Sequence, residues 1–415
     1  MTEISISQIK KLGREIRKCL KNTQKIDKEN LDKLQTYRVL HQPPMRSTFD
    51  FLVDKSKKQN KGSLVVYRLK RIDTIIRKIG RYKTMDLSKM QDIAGCRAIV
   101  FSINQIKNIV DDFKKSNDFE VIHEDNYIDN QRDSGYKSYH LIVKPRNSER
   151  VVEIQLRTPE LHHWATLVEI TDLISGIKLK EGQDHPKLYQ FHKFLAKGIK
   201  DLSLIEKENL INIEKELSIV KDLTTLFKTN YYISIIRWNK AISEEQKDYL
   251  IMELDKDLSP SFTFFDSFEI AEKEYFKKFT QQEPEMVLIH TNKPDFEKLG
   301  LAYSNYVLTS HPSIRLYLEI LKEVIIKNKE IKKFKKSLNY YTYLDEILII
   351  ESFKKEINFM KNAISNDTVH EDLPTVHENW KNNLVDRIDF ISEFRENTNK
   401  ELKKITGPNI FERFF

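Results

Sequence analysis

Cysteine is scarce: the 415 residues hold two, Cys19 and Cys96. Two thiols cannot make a disulfide framework, nor a four-ligand zinc site with one another, and such usage fits a reducing cytoplasm. Glycine and proline are thin as well, at 10 and 11 residues, which excludes collagen-like and low-complexity architectures. None of the glycines forms a Walker A or a G-x-G-x-x-G pattern, so the commonest phosphate-cradling loops are missing. No apolar run approaches the roughly 18–20 residues that span a bilayer. The lysine-rich N-terminus lacks the apolar stretch of a signal peptide. These absences predict a soluble cytoplasmic protein with no membrane partner.

What is present is apolar material and charge. Hydrophobic residues make up 40% and aromatics 10%, enough for packed cores and against a largely disordered chain. The length predicts two or three domains. The net charge of +8 is uneven: residues 1–90 hold 23 Lys and Arg against 9 Asp and Glu, and the remainder 47 against 53. A basic block attracts phosphates, whether on a nucleotide, on RNA or on a membrane; the bland alternative is a solvated lysine-rich face. The eleven histidines show no metal-ligand spacing.

Residues 1–37 read as mostly helix, broken by His41-Gln-Pro-Pro44, with a second helix from Ser47-Thr48. A helix over about 67–80 precedes a strand near 95–101, a helix from 103, strands near 119–128, 138–145 and 151–158, and a helix from 159. Residues 185–223 are helical in pattern. A second α/β-like region begins at the apolar run 231–238, with helices over 243–256 and 266–280, a strand at 286–290 and a helix around 312–328. The stretch 345–415 is helical again apart from a polar interval near 365–375. These shifts predict a helical segment over 1–45, a mixed-sheet α+β domain over 46–224, an α/β-like domain over 225–344 and a helical tail over 345–415.

Four stretches carry chemistry. In the segment 68–81, taken as a helix, Ile72, Ile75, Ile76 and Ile79 share one side, while Lys70, Arg71, Arg77, Lys78 and Arg81 occupy an arc of about 120° on the other. That arc is either an ordinary solvent face or a row of cations along a polyphosphate. Asp92 stands just before the buried strand Gly95–Val100, from which Arg97 projects, and Gly95 permits close approach of a backbone or ligand. Residues 151–158 alternate strictly: Val152, Ile154 and Leu156 face a core, and Glu153, Gln155 and Arg157 share the other face. If that face lines a cleft, Glu153 and Asp92 make a carboxylate pair suited to Mg²⁺. Tyr136, after Gly135, is either an edge-strand packing residue or a platform for a base.

The motifs DIAGCR, SGYKSYH, VVEIQLRT and HHWAT, in this order between residues 92 and 166, resemble the synthetase domain of the RelA/SpoT family of alarmone synthetases. The resemblance runs from about residue 60 to 200. It implies a nucleotidyltransferase-like mixed sheet flanked by helices, and transfer of pyrophosphate from ATP to a ribose 3′-hydroxyl with release of AMP. Carried over residue by residue, it makes Arg68, Lys70, Lys78, Arg97 and Thr74 the ATP side, and Asp92 and Glu153 the Mg²⁺ ligands, with Glu153 as general base. Tyr136, Arg132, Gln155, Arg157 and His162 fall on the acceptor side.

Where the family's loop before the tyrosine begins with Asp and ends in Pro-Lys, this chain has Asn126 and Gln131-Arg132; after Trp164 it has Val168-Glu169-Ile170 in place of Glu-His. These departures fall on the acceptor side. The acceptor is therefore expected to be GDP or GTP, giving (p)ppGpp, or else the 3′ end of tRNA, as in a toxic branch of the family. A catalytically dead binding module is the third reading, and Asp92 and Glu153 argue against it. No His-Asp dipeptide occurs, so the chain reads as a synthetase without the family's hydrolase. Residues 225–415 lack a catalytic constellation. They are expected to hold the site partly closed until a protein or ligand trigger binds, or else to stabilise the fold or mediate a homo-oligomer. Tyr303, Tyr306, Tyr340, Tyr341 and Tyr343 are read as packing residues.

Overall fold

In a computed structural model of the chain, the residues described are 4–82, 84–130, 136–177, 179, 185–197, 199–242, 247–254, 260–281, 285–291, 295–296, 299–300, 303, 307, 311–348 and 374–407. Met1–Ala165 together with Lys240–Val307 make one compact unit; Thr166–Asn239 together with Leu308–Phe415 make another.

The first unit opens with helices α1 (Ile6–Lys21), α2 (Lys28–Val39) and α3 (Gln42–Gln59). Ser5 and Gln8 form a capping box at the start of α1, and Asp27 caps α2. The Pro43-Pro44 pair that reads as a break in the sequence instead opens α3, because a proline in the first turn lacks an N–H that has no helical partner there. Then come β1 (Leu64–Leu69), α4 (Ile72–Arg81), a short 3-10 turn at Leu87–Lys89, β2 (Ala94–Ile99), α5 (Ile103–Lys115), β3 (Phe119–Asn126), β4 (Tyr139–Pro145), β5 (Val152–Arg157) and α6 (Pro159–Ser175). The expected helix over 67–80 is shortened by β1. LVVYRL is β-branched and aromatic, and it belongs to the sheet rather than to the cationic helix that follows.

Further along, after the helices over 186–241, β6 (Tyr249–Leu254), β7 (Pro260–Phe265), α10 (Phe268–Gln281) and β8 (Glu285–His290) complete this unit. The strands form one sheet in the order β3-β4-β5-β2-β1-β8-β6-β7. β2 and β5 run parallel, and the other neighbours pair antiparallel. The fold is thus α+β with a mixed sheet flanked by helices. The strands of residues 249–290, expected in a separate domain beginning at 225, extend this sheet instead: Val65, Val66 and Tyr67 of β1 pair with His290, Ile289 and Leu288 of β8.

One face of the sheet is packed by α3, α5 and α10. There Tyr67, Leu69, Ala98, Val152, Ile154 and Leu156 meet Phe49, Phe113, Phe268, Tyr275 and Leu288 in a continuous core. Tyr67 also donates its hydroxyl to the buried carboxylate of Glu272, and Tyr275 accepts the Leu69 N–H. A second core joins α1, α2, α4 and the 3-10 turn through Ile9, Leu12, Ile16, Leu34, Ile75, Ile79 and Leu87. Because side chains alternate along a strand, the residues between the core positions of β1, β2 and β5 face the other way.

The second unit is helical: α7 (Pro186–Lys197), α8 (Leu204–Leu217), α9 (Ile219–Ala241), α11 (Pro312–Glu330), α12 (Phe334–Leu348) and α13 (Pro374–Thr406). The run YYISIIRW, expected to open a second α/β-like region, lies inside the 23-residue α9. Its β-branched and aromatic composition is overridden by helical context on both sides. Conversely, 249–254 is a strand where a helix was expected, since a six-residue apolar run carries no periodicity that separates the two. Tyr340, Tyr341 and Tyr343 are buried in packing, as is Tyr303 of the first unit; Tyr306 lies outside the described residues.

Candidate active site

The sheet face opposite the α3–α5–α10 core carries a pocket of about 200 Å³ lined by Arg68, Lys70, Asp92, Gly95, Arg97, Glu153 and Gln155, with Val66, Cys96 and Val287. Register explains the grouping. Gly95 lies beside both Arg68 and Glu153 across the sheet, and Arg97 beside Gln155. A Cβ on Gly95 would stand 3.6 Å from the Arg68 carbonyl and 3.8 Å from that of Glu153, ordinary contacts. The glycine therefore relieves no clash; it leaves the pocket floor open.

Asp92 anchors one wall. Its Oδ2 accepts from Lys70 Nζ at 3.0 Å and from Lys78 Nζ at 2.8 Å. Its Oδ1 is buried and has no hydrogen-bond partner among the described residues. Burial alone would push this carboxyl up, but the two ammonium groups outweigh it and the net direction is down. Burial, together with the Lys78 and Arg68 charges, lowers the Lys70 ammonium more than Asp92 raises it.

On the other wall, Glu153 Oε1 faces His140 Nδ1 at 3.1 Å and Oε2 accepts from Gln155 Nε2 at 3.0 Å. Burial and the Asp92 charge raise the Glu153 carboxyl, the His140 contact lowers it, and the net shift is downward. Burial lowers the His140 imidazole, the Glu153 hydrogen bond raises it, and the net shift is upward. Both carboxylates thus remain ionised at neutral pH.

The residues singled out from sequence divide plainly. Arg68, Lys70, Asp92, Arg97, Glu153 and Gln155 come together on the pocket, and Lys78 reaches it through Asp92. Arg68 does so from β1 and not from a helix. Thr74 is on α4, bonded to Asp73 and Arg77, and does not line the pocket. Tyr136, Arg157 and His162 adjoin it: Arg157 Nη2 donates to Tyr136 Oη at 2.9 Å, and Arg157 Nη1 lies 3.3 Å from His162 Nδ1. The Tyr136 ring is met edge-on by Tyr127, His140 and Trp164. Arg132 lies outside the described residues.

Three contributors were not assigned from sequence. His140 ends the motif SGYKSYH four residues after Tyr136, but only the β4–β5 register, which sets it opposite Gln155, brings it within reach of Glu153 two residues along the strand. Val287 arrives from β8, and Tyr303 packs edge-on against His162 at 5.7 Å; nothing local in the sequence connects either to the pocket.

Mg²⁺ was expected at Asp92 and Glu153. Among the described residues no group of three or more His, Cys, Asp or Glu side chains is arranged to hold a metal ion. The donor set still fits Mg²⁺, which commonly takes one or two carboxylates and completes its shell with water and substrate phosphates. The buried, unpartnered Asp92 Oδ1 is the atom most in need of such a partner.

Residues 67–171 match the family described as "Region found in RelA / SpoT proteins", a span that contains every site residue named above from Arg68 to His162. The chain is 35% identical over 112 residues to the GTP pyrophosphokinase YjbM of Bacillus subtilis, covering 25% of this chain and 53% of that protein. It is 34% identical over 111 residues to the GTP pyrophosphokinase YwaC of the same organism, covering 24% and 53%. The chain thus spans about half the length of the curated relatives it matches. Among solved structures, a GTP pyrophosphokinase family protein from Streptococcus pneumoniae is similar at 23% identity and a TM-score of 0.33, over 46% of this chain and 93% of that one. The small alarmone synthetase 1 of Bacillus subtilis bound to its product pppGpp is similar at 25% identity and a TM-score of 0.32, over 42% and 91%. No helix among the described residues is long and apolar enough to cross a membrane.

Proposed function

We propose that residues 67–171 carry a RelA/SpoT-type synthetase site that moves the β,γ-pyrophosphate of ATP to the ribose 3′-hydroxyl of GDP or GTP. The single observation that carries this reading is the pocket itself. Two ionised carboxylates, Asp92 and Glu153, stand opposite one another among Arg68, Lys70, Lys78 and Arg97. Pyrophosphoryl transfer spreads charge over many oxygens in flight, and fixed cations in a partly dry pocket stabilise that charge where it develops. Both Bacillus relatives are GTP pyrophosphokinases by name, which supports the same choice of acceptor.

In this reading Arg68, Lys70 and Arg97 hold the ATP phosphates, and Lys78 helps keep Asp92 ionised. Glu153 takes the proton from the attacking hydroxyl, as a carboxylate within hydrogen-bond reach can. Asp92 and Glu153 would hold Mg²⁺, which would supply Lewis-acid neutralisation of the phosphate oxygens.

A second reading, with the 3′ end of tRNA as acceptor, draws on one observation. The exposed side of α1 carries Lys10, Lys11, Arg14, Lys18 and Lys21, all within an arc of about 100° on a helix. Five cations in one stripe suit a nucleic-acid backbone. Incubation with γ-labelled ATP and, separately, GDP, GTP, ATP or bulk tRNA distinguishes the readings. Label in a guanine nucleotide supports the first, label in tRNA the second, and label in neither removes both.

A further inference from the structure

Arg38, one residue before the end of α2, is completely buried, and it lies outside the family-matched residues 67–171. Its guanidinium stays protonated and can only donate. Nε donates to the backbone carbonyl of Lys70 at 2.9 Å, and Nη1 donates to Gln35 Oε1 one turn back on the same helix. Lys70 is the point at which β1 leaves the sheet: Leu69 is the last strand residue, and Arg71 is the N-cap of α4. The Lys70 N–H donates to the Ile93 carbonyl at 2.8 Å, next in sequence to Asp92. Both backbone polar groups of Lys70 are thus held, one by the chain that carries Asp92 and the other by Arg38. From this fixed point Lys70 Nζ reaches Asp92 Oδ2 at 3.0 Å, and α4 brings Lys78 Nζ to the same oxygen at 2.8 Å. The charges of Arg38 and Arg68 also both act on the Tyr275 hydroxyl, which accepts the Leu69 N–H.

We propose that Arg38 is a positioning residue for the triphosphate of ATP: by holding the Lys70 carbonyl it fixes the turn from β1 into α4, and with it the places of the Lys70 and Lys78 ammonium groups. This rests on the reading of the pocket as the ATP site. A guanidinium kept out of water is costly, and where the task is only to fill space an apolar side chain of like volume serves as well or better. Arg38 instead spends its charge on one carbonyl, at the residue that opens the cationic wall. It also adds a positive charge next to Lys70, where Arg68, Lys70 and Lys78 already outnumber the Asp92 carboxylate. Like charges grouped in this way repel one another in the chain alone and are offset once phosphates enter. The donor side of the site is thus built in part by α2, from outside the family match.

Calorimetric titration of the full chain with ATP, AMP and GDP, each alone, tests the assignment. Arg38→Met keeps most of the volume and removes the charge and the donors. It should weaken ATP binding about tenfold, the scale of one charge-assisted hydrogen bond. AMP, which lacks the β- and γ-phosphates, and GDP should stay within about twofold of the parent. Arg38→Lys, which keeps the charge but not the Nε donor, should fall between parent and Arg38→Met. Unchanged ATP affinity in a folded Arg38→Met protein, or equal weakening of all three nucleotides, would make Arg38 a structural residue and overturn the proposal. Should Arg38→Met fail to fold, Gln35→Leu decides by the same split, since it removes only the acceptor that orients the guanidinium; ATP should weaken about threefold and AMP should not. Binding rather than transfer is read, so the two claims separate. The expected ATP loss in a chain that pyrophosphorylates no acceptor would remove the proposed function alone. Transfer to GDP or GTP with an ATP affinity indifferent to Arg38 would remove this proposal alone, and a parent chain that binds no ATP would remove both.

Discussion

Replacing Glu153 by glutamine changes one atom and inverts its hydrogen bonding. The amide nitrogen would face either His140 Nδ1 or Gln155 Nε2, so two donors would meet where a donor and an acceptor now stand. The variant should fold, since the side chain is only partly buried and its volume is nearly unchanged. Transfer should fall by about 10²–10⁴-fold, the range for loss of a general base. Near-parental turnover in a folded Glu153→Gln protein would remove Glu153 from the chemistry. Much at this scale was legible in advance. Strict alternation put Glu153 and Gln155 on one face, and a carboxylate just before a buried strand put Asp92 at the sheet edge. His140 was not legible as a partner of Glu153, because which residue of β4 lies beside which residue of β5 is set by pairing register and not by local pattern.

At the scale of elements, α1 and α9 give opposing lessons about local preference. Gly13 sits inside α1, where alanine would ordinarily gain roughly 1 kcal/mol of helix propensity. A Cβ there would stand 2.9 Å from Leu87 Cβ, which is buried and tied directly to the 3-10 turn backbone. Overpacking costs about 1–3 kcal/mol, so crowding outweighs propensity. Gly13→Ala should lower stability in urea unfolding; a stabilised variant would show that the turn yields. The α8–α9 corner depends on Glu214, which accepts the N–H groups of Val220 and Lys221 at 2.9 and 3.2 Å in the first turn of α9. Burial pushes its carboxyl up from 4.5 to about 7. A raised folded pKa means that the group's contribution is fully present below pH 4.5 and is lost as pH rises through about 7. That loss is on the order of 3 kcal/mol. Buried His41, His192 and His290, whose imidazoles are held down by burial, push stability the other way as pH rises. The comparison is therefore with the variant: between pH 4.5 and 8, Glu214→Gln should gain stability relative to the parent in urea unfolding. A difference independent of pH would contradict the assignment. The helical character of residues 1–37 was readable in the sequence, and α1 and α2 lie there. The run 231–238 was not, since its composition favours a strand and only its neighbours make it helical.

Across the whole molecule, the sheet does not stop where the family match does. Residues 249–290 add three strands beyond β1, and Ile251, Phe268, Tyr275, Phe276, Met286 and Leu288 enter the same core as Tyr67 and Leu69. At roughly 1.5–3 kcal/mol for each large apolar side chain buried, those six outweigh much of a domain's total stability of about 5–15 kcal/mol. A chain cut after residue 239 should therefore be insoluble or loosely packed, with the β1 edge unpaired. A soluble, cooperatively folding 1–239 fragment would contradict this. For the same reason, truncation does not isolate any restraint exerted by the later residues. The α+β class and most strands of the family-like region could be anticipated, because alternation and turn residues act locally. The pairing of β8 with β1 could not, since its partners lie more than 200 residues apart in sequence.

The central claim is that pyrophosphate, and not a single phosphate, leaves ATP at the Asp92–Glu153 pocket. With α-labelled ATP and excess GTP, the account predicts label appearing in AMP, one for each guanine nucleotide that gains a 3′-pyrophosphate, and no such release from Glu153→Gln. Label accumulating in ADP, or AMP formed without a pyrophosphorylated acceptor, would contradict it.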